Sequence, residues 1–409
     1  PPPPDTLPPP PPTPTPRSNR RQRQMCIRDS YEGDIDPSQL TQALAKHARA
    51  LGAEVRRFTP VTGLQQRASG EWEVTTPNGT IFAGTVINAA GSSGARIAAM
   101  AGLHVPVVTL EHQYMVTSPI AALDEDTSTF PLIRDPDIRF YLRRERNALL
   151  LGSYAHEGRP VWQDGVPQDF DHQLFADDID GMMAVFEAAA AHVPLLAEAG
   201  AQRFVNGPIP YAPDALPLVG PAGGVRNFFH ATGVQIGITH SAAIGKAMAE
   251  WLTDGETEWD LSAWDPRRFG AWATQDYAAA RASEHYDLQY AIPYPHRIMA
   301  SGRPVNQTPL CGHLINQGAI IGQIGGWERA FWFNTRDAPD ADALSFGHEP
   351  WQDAVRVECE TVRDHVGVMD HGGFTKFVLE GPDAANVLTQ MVCGALPPVG
   401  RVRLSYMLT

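Results

Sequence analysis

What these 409 residues lack narrows the field first. There are only four cysteines, Cys26, Cys311, Cys359 and Cys393, and none forms a C-x-x-C pair. Scattered thiols fit a reducing compartment with free, buried cysteines, Cys359 and Cys393 as core residues of the last unit. No metal site is read from the sequence. No apolar run approaches the roughly 20 residues that a membrane helix needs. Basic charge is scarce: 32 Lys and Arg stand against 46 Asp and Glu, a formal net charge of -14. That balance argues against nucleic acid and against an anionic membrane surface as partners. No G-x-G-x-x-G follows an apolar strand; Gly322, Gly325 and Gly326 come late and lack the spacing. No internal repeat is visible.

What is present suffices for two or three domains, with 43% hydrophobic residues to fill their cores. The first thirty residues stand apart. Residues 1–16 hold eleven prolines, a composition that forms no core. The string RRQRQMCIRDS over 20–30 resembles the translation of a sequencing-library adapter. Residues 1–30 are therefore read as an artefact and set aside. A genuine Pro-rich linker is the alternative. On the first reading, coding sequence begins at Tyr31 and the natural N-terminus lies further upstream.

From there the pattern alternates. Asp36, Pro37 and Gln39 form a capping arrangement, with Leu40, Leu44, Ala48 and Leu51 on one helical face and Gly52 as the stop. Strands are expected over 54–64, 72–75 and 85–88, and a helix over 95–101. After Pro106, residues 109–117, 139–143 and 148–154 alternate as an antiparallel sheet would. Helices are expected over 171–191, 240–252 and 272–288, and a strand over 228–231. Residues 291–345 read as a packed connector. A last unit has a helix over 351–362, a strand over 374–379 and a helix over 383–391.

Two segments carry chemistry. The strand ending at Ala231 runs into Thr232-Gly233-Val234-Gln235-Ile236-Gly237-Ile238-Thr239 and then a helix. Glycines there allow a ligand close to the backbone, and a helix start favours negative charge. A reduced flavin carries such charge on its N1/C2=O edge. A tight packing turn without ligand is the alternative. The second segment, Ile87-Asn88-Ala89-Ala90-Gly91, ends a strand in small residues, where nucleotides lie in open α/β sheets; here too a simple packing turn is the alternative.

An ordered set of motifs resembles the D-amino-acid-oxidase-type flavoproteins, and among them the dimethylglycine and sarcosine dehydrogenases. It comprises Asp34-Ile35-Asp36-Pro37, residues 86–91, residues 111–117 (EHQYMVT), Asn206-Gly207-Pro208, residues 213–220 (PDALPLVG) and the turn 233–239. Gly302-Arg303-Pro304, Thr308-Pro309-Leu310 and Gly326-Trp327-Glu328-Arg329 resemble that subfamily's connecting domain. Residues 364–377 resemble the opening of its aminomethyltransferase (glycine-cleavage T-protein) domain.

The resemblance implies an α/β and α+β multidomain chain. Residues 31–105 and 200–275 would form an incomplete FAD-binding domain without its phosphate-binding start. Residues 106–199 would form the antiparallel-sheet substrate domain, 276–345 the connecting domain and 346–409 the start of the T-protein-like domain. It implies oxidative demethylation of a small N-methylated amine, dimethylglycine or sarcosine: hydride leaves the N-methyl carbon for the flavin, and tetrahydrofolate captures the one-carbon unit. The electron acceptor stays open. Val61, Ala90 and Gly91 would lie near the adenosine part of FAD, and Gly233, Gln235, Ile236, Gly237 and Ile238 near the flavin ring. Tyr114 and His112 would be catalytic, and Tyr141 and Arg143 would bind substrate, Arg143 through its carboxylate. Ordinary strand residues are the alternative for His112, Tyr141 and Arg143, and a helix cap for His240. Tyr406 matches a folate-proximal position. The setting would be a bacterial cytoplasm, or the mitochondrial matrix if the source is eukaryotic. With no phosphate-binding glycines, the chain is expected to hold FAD weakly. The other readings are a folate-dependent aminomethyl or methyl transferase with a vestigial flavin half, and an inactive fragment.

Overall fold

A computed structural model of the chain describes residues 35–124, 130–156, 158–171, 173–334, 344–374 and 376–407. The stretch read as an artefact lies outside them. Helix α1 (Pro37–Ala50) is capped as expected, the Asp36 side chain accepting from the Gln39 N–H at 2.7 Å. Among the described residues its apolar face is only partly covered: Leu40 and Ala48 are half-buried, and Leu44 and Leu51 are exposed.

Residues 54–62 do not form the expected strand. A strand persists only where its backbone groups find a ladder partner. Here pairing begins at Gly63, opposite Thr75, and Phe58 turns away with φ +53°. Strands β1 (Gly63–Gln66), β2 (Trp72–Thr76) and β3 (Gly79–Ala83) form an antiparallel meander, β3 being unforeseen. Strand β4 (Val86–Asn88) and helix α2 (Gly94–Met100) follow.

The next strands are β5 (Val108–Thr117), β6 (Ile133–Asp135), β7 (Phe140–Glu145), β8 (Ala148–Ser153) and β9 (Pro160–Val161). They join β10 (Ala201–Tyr211) in a six-stranded antiparallel sheet with path β10-β5-β8-β7-β6, β9 pairing with β5. Helix α3 (Ile179–His192) covers one face. Phe140, Leu142, Leu149 and Leu151 of the sheet meet Met182, Phe186 and Ala189 of the helix in the main core. α3 starts later than residue 171 because Asp178 caps it, accepting from the Gly181 N–H.

β10 escaped the sequence reading because it contains Pro208 and Pro210. Proline is tolerated on a sheet edge, and β10 is the edge. Beyond it, β11 (Leu218–Pro221) and β12 (Phe228–Thr232) return the chain to β4 in a three-stranded sheet. Helix α4 (Gly237–Thr253) leads on, and α5 (Gln275–Asp287) lies against β5 and β10. The stripe Ala278, Ala282 and Tyr286 at four-residue spacing is buried there.

The connector holds α6 (Cys311–Asn316) and a hairpin of β13 (Ala319–Ile324) and β14 (Trp327–Phe333). Helices α7 (Pro350–Asp364) and α8 (Ala384–Met391) complete the chain. Residues 376–379 are not a strand, Thr375 lying outside the described residues, and Phe377 and Val378 are exposed. α7 lies beside β14, where Glu358 accepts from the Phe333 N–H at 2.9 Å, but Cys359 and Cys393 are exposed rather than core residues. Cys311 is the buried one. No helix among the described residues is long and apolar enough to cross a membrane.

Candidate active site

β4 and β12 run parallel, Val86 opposite Phe228 and Asn88 opposite His230. Both therefore end at the same sheet edge, and Ala89-Ala90-Gly91 emerges beside Thr232-Gly233. Buried polar side chains lock the two turns together. The Thr232 hydroxyl donates to the Gly91 carbonyl at 3.1 Å. The Asn88 amide donates to the Gly94 carbonyl at 2.8 Å, and its oxygen accepts from the Ala90 N–H at 3.3 Å. Gly91 and Gly233 take φ values of +53° and +65°, a region that favours glycine. His230, buried beneath, is held down at about 4 by desolvation.

Past the turn, α4 begins three residues earlier than the sequence suggests and has no side-chain cap and no acidic residue in its first turn. Gly237 and Ile238 open its first turn, where the N–H groups have no intrahelical partner and the positive dipole end lies. His240 does not cap it; its ring lies against Trp264, 5.2 Å between centroids. Gln235 donates from Nε2 to Gln289 Oε1 at 3.2 Å, while its own Oε1 is buried with no hydrogen-bond partner among the described residues. Val61 stands apart, half-buried on the loop before β1.

Across β5, β8 and β7 a second group converges. Tyr114 and Tyr141 both pair with Gly152. A Cβ at Gly152 would meet Tyr141 Cζ at 2.0 Å, so the glycine is what lets the Tyr141 ring lie over β8. From there Tyr141 reaches His112 Nε2, with its hydroxyl at 3.0 Å. His112 Nδ1 lies 2.9 Å from the Tyr286 hydroxyl, brought in by α5. Tyr154 stacks on His112 at 4.6 Å, and Tyr290 meets Tyr154 edge-on at 5.0 Å. Desolvation, with a smaller push from His156, holds the His112 imidazole at about 4, so it is neutral at pH 7. Burial likewise raises the Tyr141, Tyr154, Tyr211 and Tyr286 hydroxyls above the usual tyrosine range.

Of the residues singled out in the sequence, Tyr114, His112 and Tyr141 come together. Arg143 lies two residues along β7 from Tyr141, but its guanidinium is paired with Glu145 at 2.7 Å. Gln235 ties the glycine turn to this cluster through Gln289, which follows Tyr286 at the end of α5. Sequence reasoning missed Tyr154, Tyr286, Gln289 and Tyr290. The signal was there: Tyr286 and Tyr290 stand four apart, continuing the stripe begun by Ala278 and Ala282. Tyr406 is exposed and meets no comparable cluster among the described residues. A cavity of about 1600 Å³ lies elsewhere, between the β13–β14 hairpin, α7 and residues 367–371.

Comparison with known proteins places these features in context. A family model described as FAD dependent oxidoreductase (DAO) matches residues 15–251. Its match begins within the stretch set aside above. Models for the FAD dependent oxidoreductase central domain and the GCVT N-terminal domain match residues 254–308 and 310–409. The mitochondrial dimethylglycine dehydrogenase of Mus musculus is 37% identical over 383 residues, covering 92% of this chain and 44% of the relative. The mitochondrial sarcosine dehydrogenase of Homo sapiens is 32% identical, covering 87% and 41%. The chain thus spans less than half the length of these relatives. Among solved structures, L-proline dehydrogenase from P. horikoshii superposes with a TM-score of 0.50 at 25% identity, covering 57% of this chain and 60% of that one.

Proposed function

Because the chain belongs to the D-amino-acid-oxidase-type FAD-dependent oxidoreductases, with a GCVT-like portion following, we propose that it serves the oxidative demethylation of a small N-methylated glycine, dimethylglycine or sarcosine. The observation that carries this reading is the aromatic cluster around His112, tied through Gln289 and Gln235 to the glycine turn. Clustered aromatic faces attract a methylated ammonium group, and a neutral imidazole does not repel it.

The residues present fit a flavin. The buried, unpartnered Gln235 Oε1 can accept a hydrogen bond from it, and the uncapped start of α4 offers donors and a positive dipole end. Ala90, Gly91, Gly233, Gln235, Ile236, Gly237 and Ile238 would hold it, with Val61 at the adenosine side. When bound, FAD supplies the hydride acceptor. The protein's own part is to position and desolvate. Tyr114, Tyr154 and Tyr290 line the amine region, and His112 and Tyr141 present neutral polar groups there. Arg143 is proposed to take the substrate carboxylate, for which its pair with Glu145 must open. Passage of the one-carbon unit to tetrahydrofolate is assigned to residues 310–409. A bacterial cytoplasm or a mitochondrial matrix is the proposed setting.

Dye reduction by the full-length gene product, supplied with dimethylglycine and with sarcosine, tests the reading. Reduction with either supports it. Flavin-loaded protein that oxidises neither sinks it, and tetrahydrofolate-dependent transfer without dye reduction would favour the transferase instead.

A further inference from the structure

The His112 ring sits between two phenols, and their hydrogens can be arranged in two ways. A neutral imidazole has one N–H and one lone pair. In the first arrangement Tyr141 donates to Nε2, Nδ1–H donates to Tyr286, and Tyr286 donates onward. In the second every direction is reversed, and the Tyr141 hydrogen points at no acceptor. The surroundings decide between them. The Tyr286 hydroxyl has a second acceptor, the Ser153 carbonyl at 3.4 Å. Tyr141 makes no hydrogen bond other than that to His112 among the described residues. An O–H left without an acceptor inside a desolvated cluster keeps the full cost of losing water, whereas the first arrangement leaves none.

We propose that Tyr286 is a positioning residue which, backed by the Ser153 carbonyl, holds His112 as the Nδ1–H tautomer and so commits the Tyr141 hydrogen to His112 Nε2. The Tyr141 oxygen is thereby an acceptor. An acceptor is what the N–H of a protonated methylamine requires, and a donor is what it would be repelled by. This consequence for the amine rests on the function proposed above. The tautomer itself does not.

Nitrogen NMR of the chain labelled with ¹⁵N-histidine reads the tautomer directly, since protonated and lone-pair ring nitrogens resonate far apart. The His112 signals are those absent from His112→Gln. The expected result is a protonated Nδ1 and a lone-pair Nε2 at pH 7. In Tyr286→Phe, which keeps the buried ring and removes the hydroxyl, Nδ1–H loses its acceptor and the ring is expected to shift towards the Nε2–H form. In Tyr141→Phe, Nδ1–H is expected to persist. An Nε2–H ring in the unmodified chain overturns the proposal, as does a Tyr286→Phe ring that keeps the original tautomer while circular dichroism shows native structure. Amine oxidation by the full-length product is a separate measurement: its failure with the tautomer as expected would overturn the function and leave the positioning role standing.

Discussion

The Thr232 hydroxyl donates to the Gly91 carbonyl across 3.1 Å, and a Cβ on Gly94 would stand 2.2 Å from that same oxygen. One hydroxyl thus holds two chain reversals together, and one glycine gives it room. Gly94→Ala is expected to lower stability by about 1–3 kcal/mol, the usual cost of overpacking. Adding Thr232→Ala should return part of that loss although it removes a hydrogen bond. Urea unfolding of the single and double variants checks the sign of the coupling.

Gly152 is the corresponding position at the tyrosine cluster. Gly152→Ala places a methyl within 2.0–2.4 Å of Tyr141 Cζ, Oη and Cε1. The Tyr141 ring must move, and its bond to His112 is expected to break. Combining Gly152→Ala with Tyr141→Phe should give no relief, because the ring carbons clash as well as the oxygen. Combining it with Tyr141→Ala should. Unfolding midpoints of the three variants distinguish these outcomes.

Acid should destabilise the fold through two histidines. His112 and His230 both sit at about 4 in the folded protein against an ordinary value of 6.5. Between those values the unfolded chain binds protons that the folded chain refuses, so stability falls as pH drops from 6.5 to 4 and levels below. For His230, which is 2% exposed, the loss is about 3 kcal/mol at most, at 1.4 kcal/mol per pH unit. Thermal unfolding midpoints across pH 4–7 should show this slope, and His230→Phe should flatten it.

Arg268 is expected to behave as an anchor that lysine cannot replace. Its guanidinium meets both oxygens of Asp214 at 2.7 and 2.8 Å and also donates to the Leu216 and Pro217 carbonyls. Arg268→Lys loses the paired geometry. A loss of about 1–3 kcal/mol is expected in urea unfolding, with Arg268→Ala at least as large.

The sequence was most readable where local rules act alone. Asp36 and Pro37 announced α1, and the alternation in residues 109–117 announced β5. It misled where partners decide. Residues 54–62 read as a strand, but the ladder begins only at their end, where the Thr62 N–H reaches the Thr75 carbonyl, and residues 376–379 form no strand. The glycine turn and the Ala89–Gly91 segment were legible because glycine spacing marks backbone geometry. Their adjacency was not, since it arises from the parallel pairing of residues 142 apart. Tyr286 was legible as part of a helical stripe, but its role was not, for the same reason: that role comes from α5 crossing β5, far away in the chain.

The prolines of β10 bear on the protein's behaviour in solution. Pro208 and Pro210 have no N–H to offer β5, so their nitrogens face outward, on the same side as the Asn206 carbonyl that accepts from Phe175. Around Pro208 and Pro210 the outer rim of β10, the longest strand among the described residues, therefore lacks the donors that a neighbouring molecule would need to add a strand of its own. Replacing both prolines with valine would restore that rim, and would turn a silent edge into a seed for aggregation.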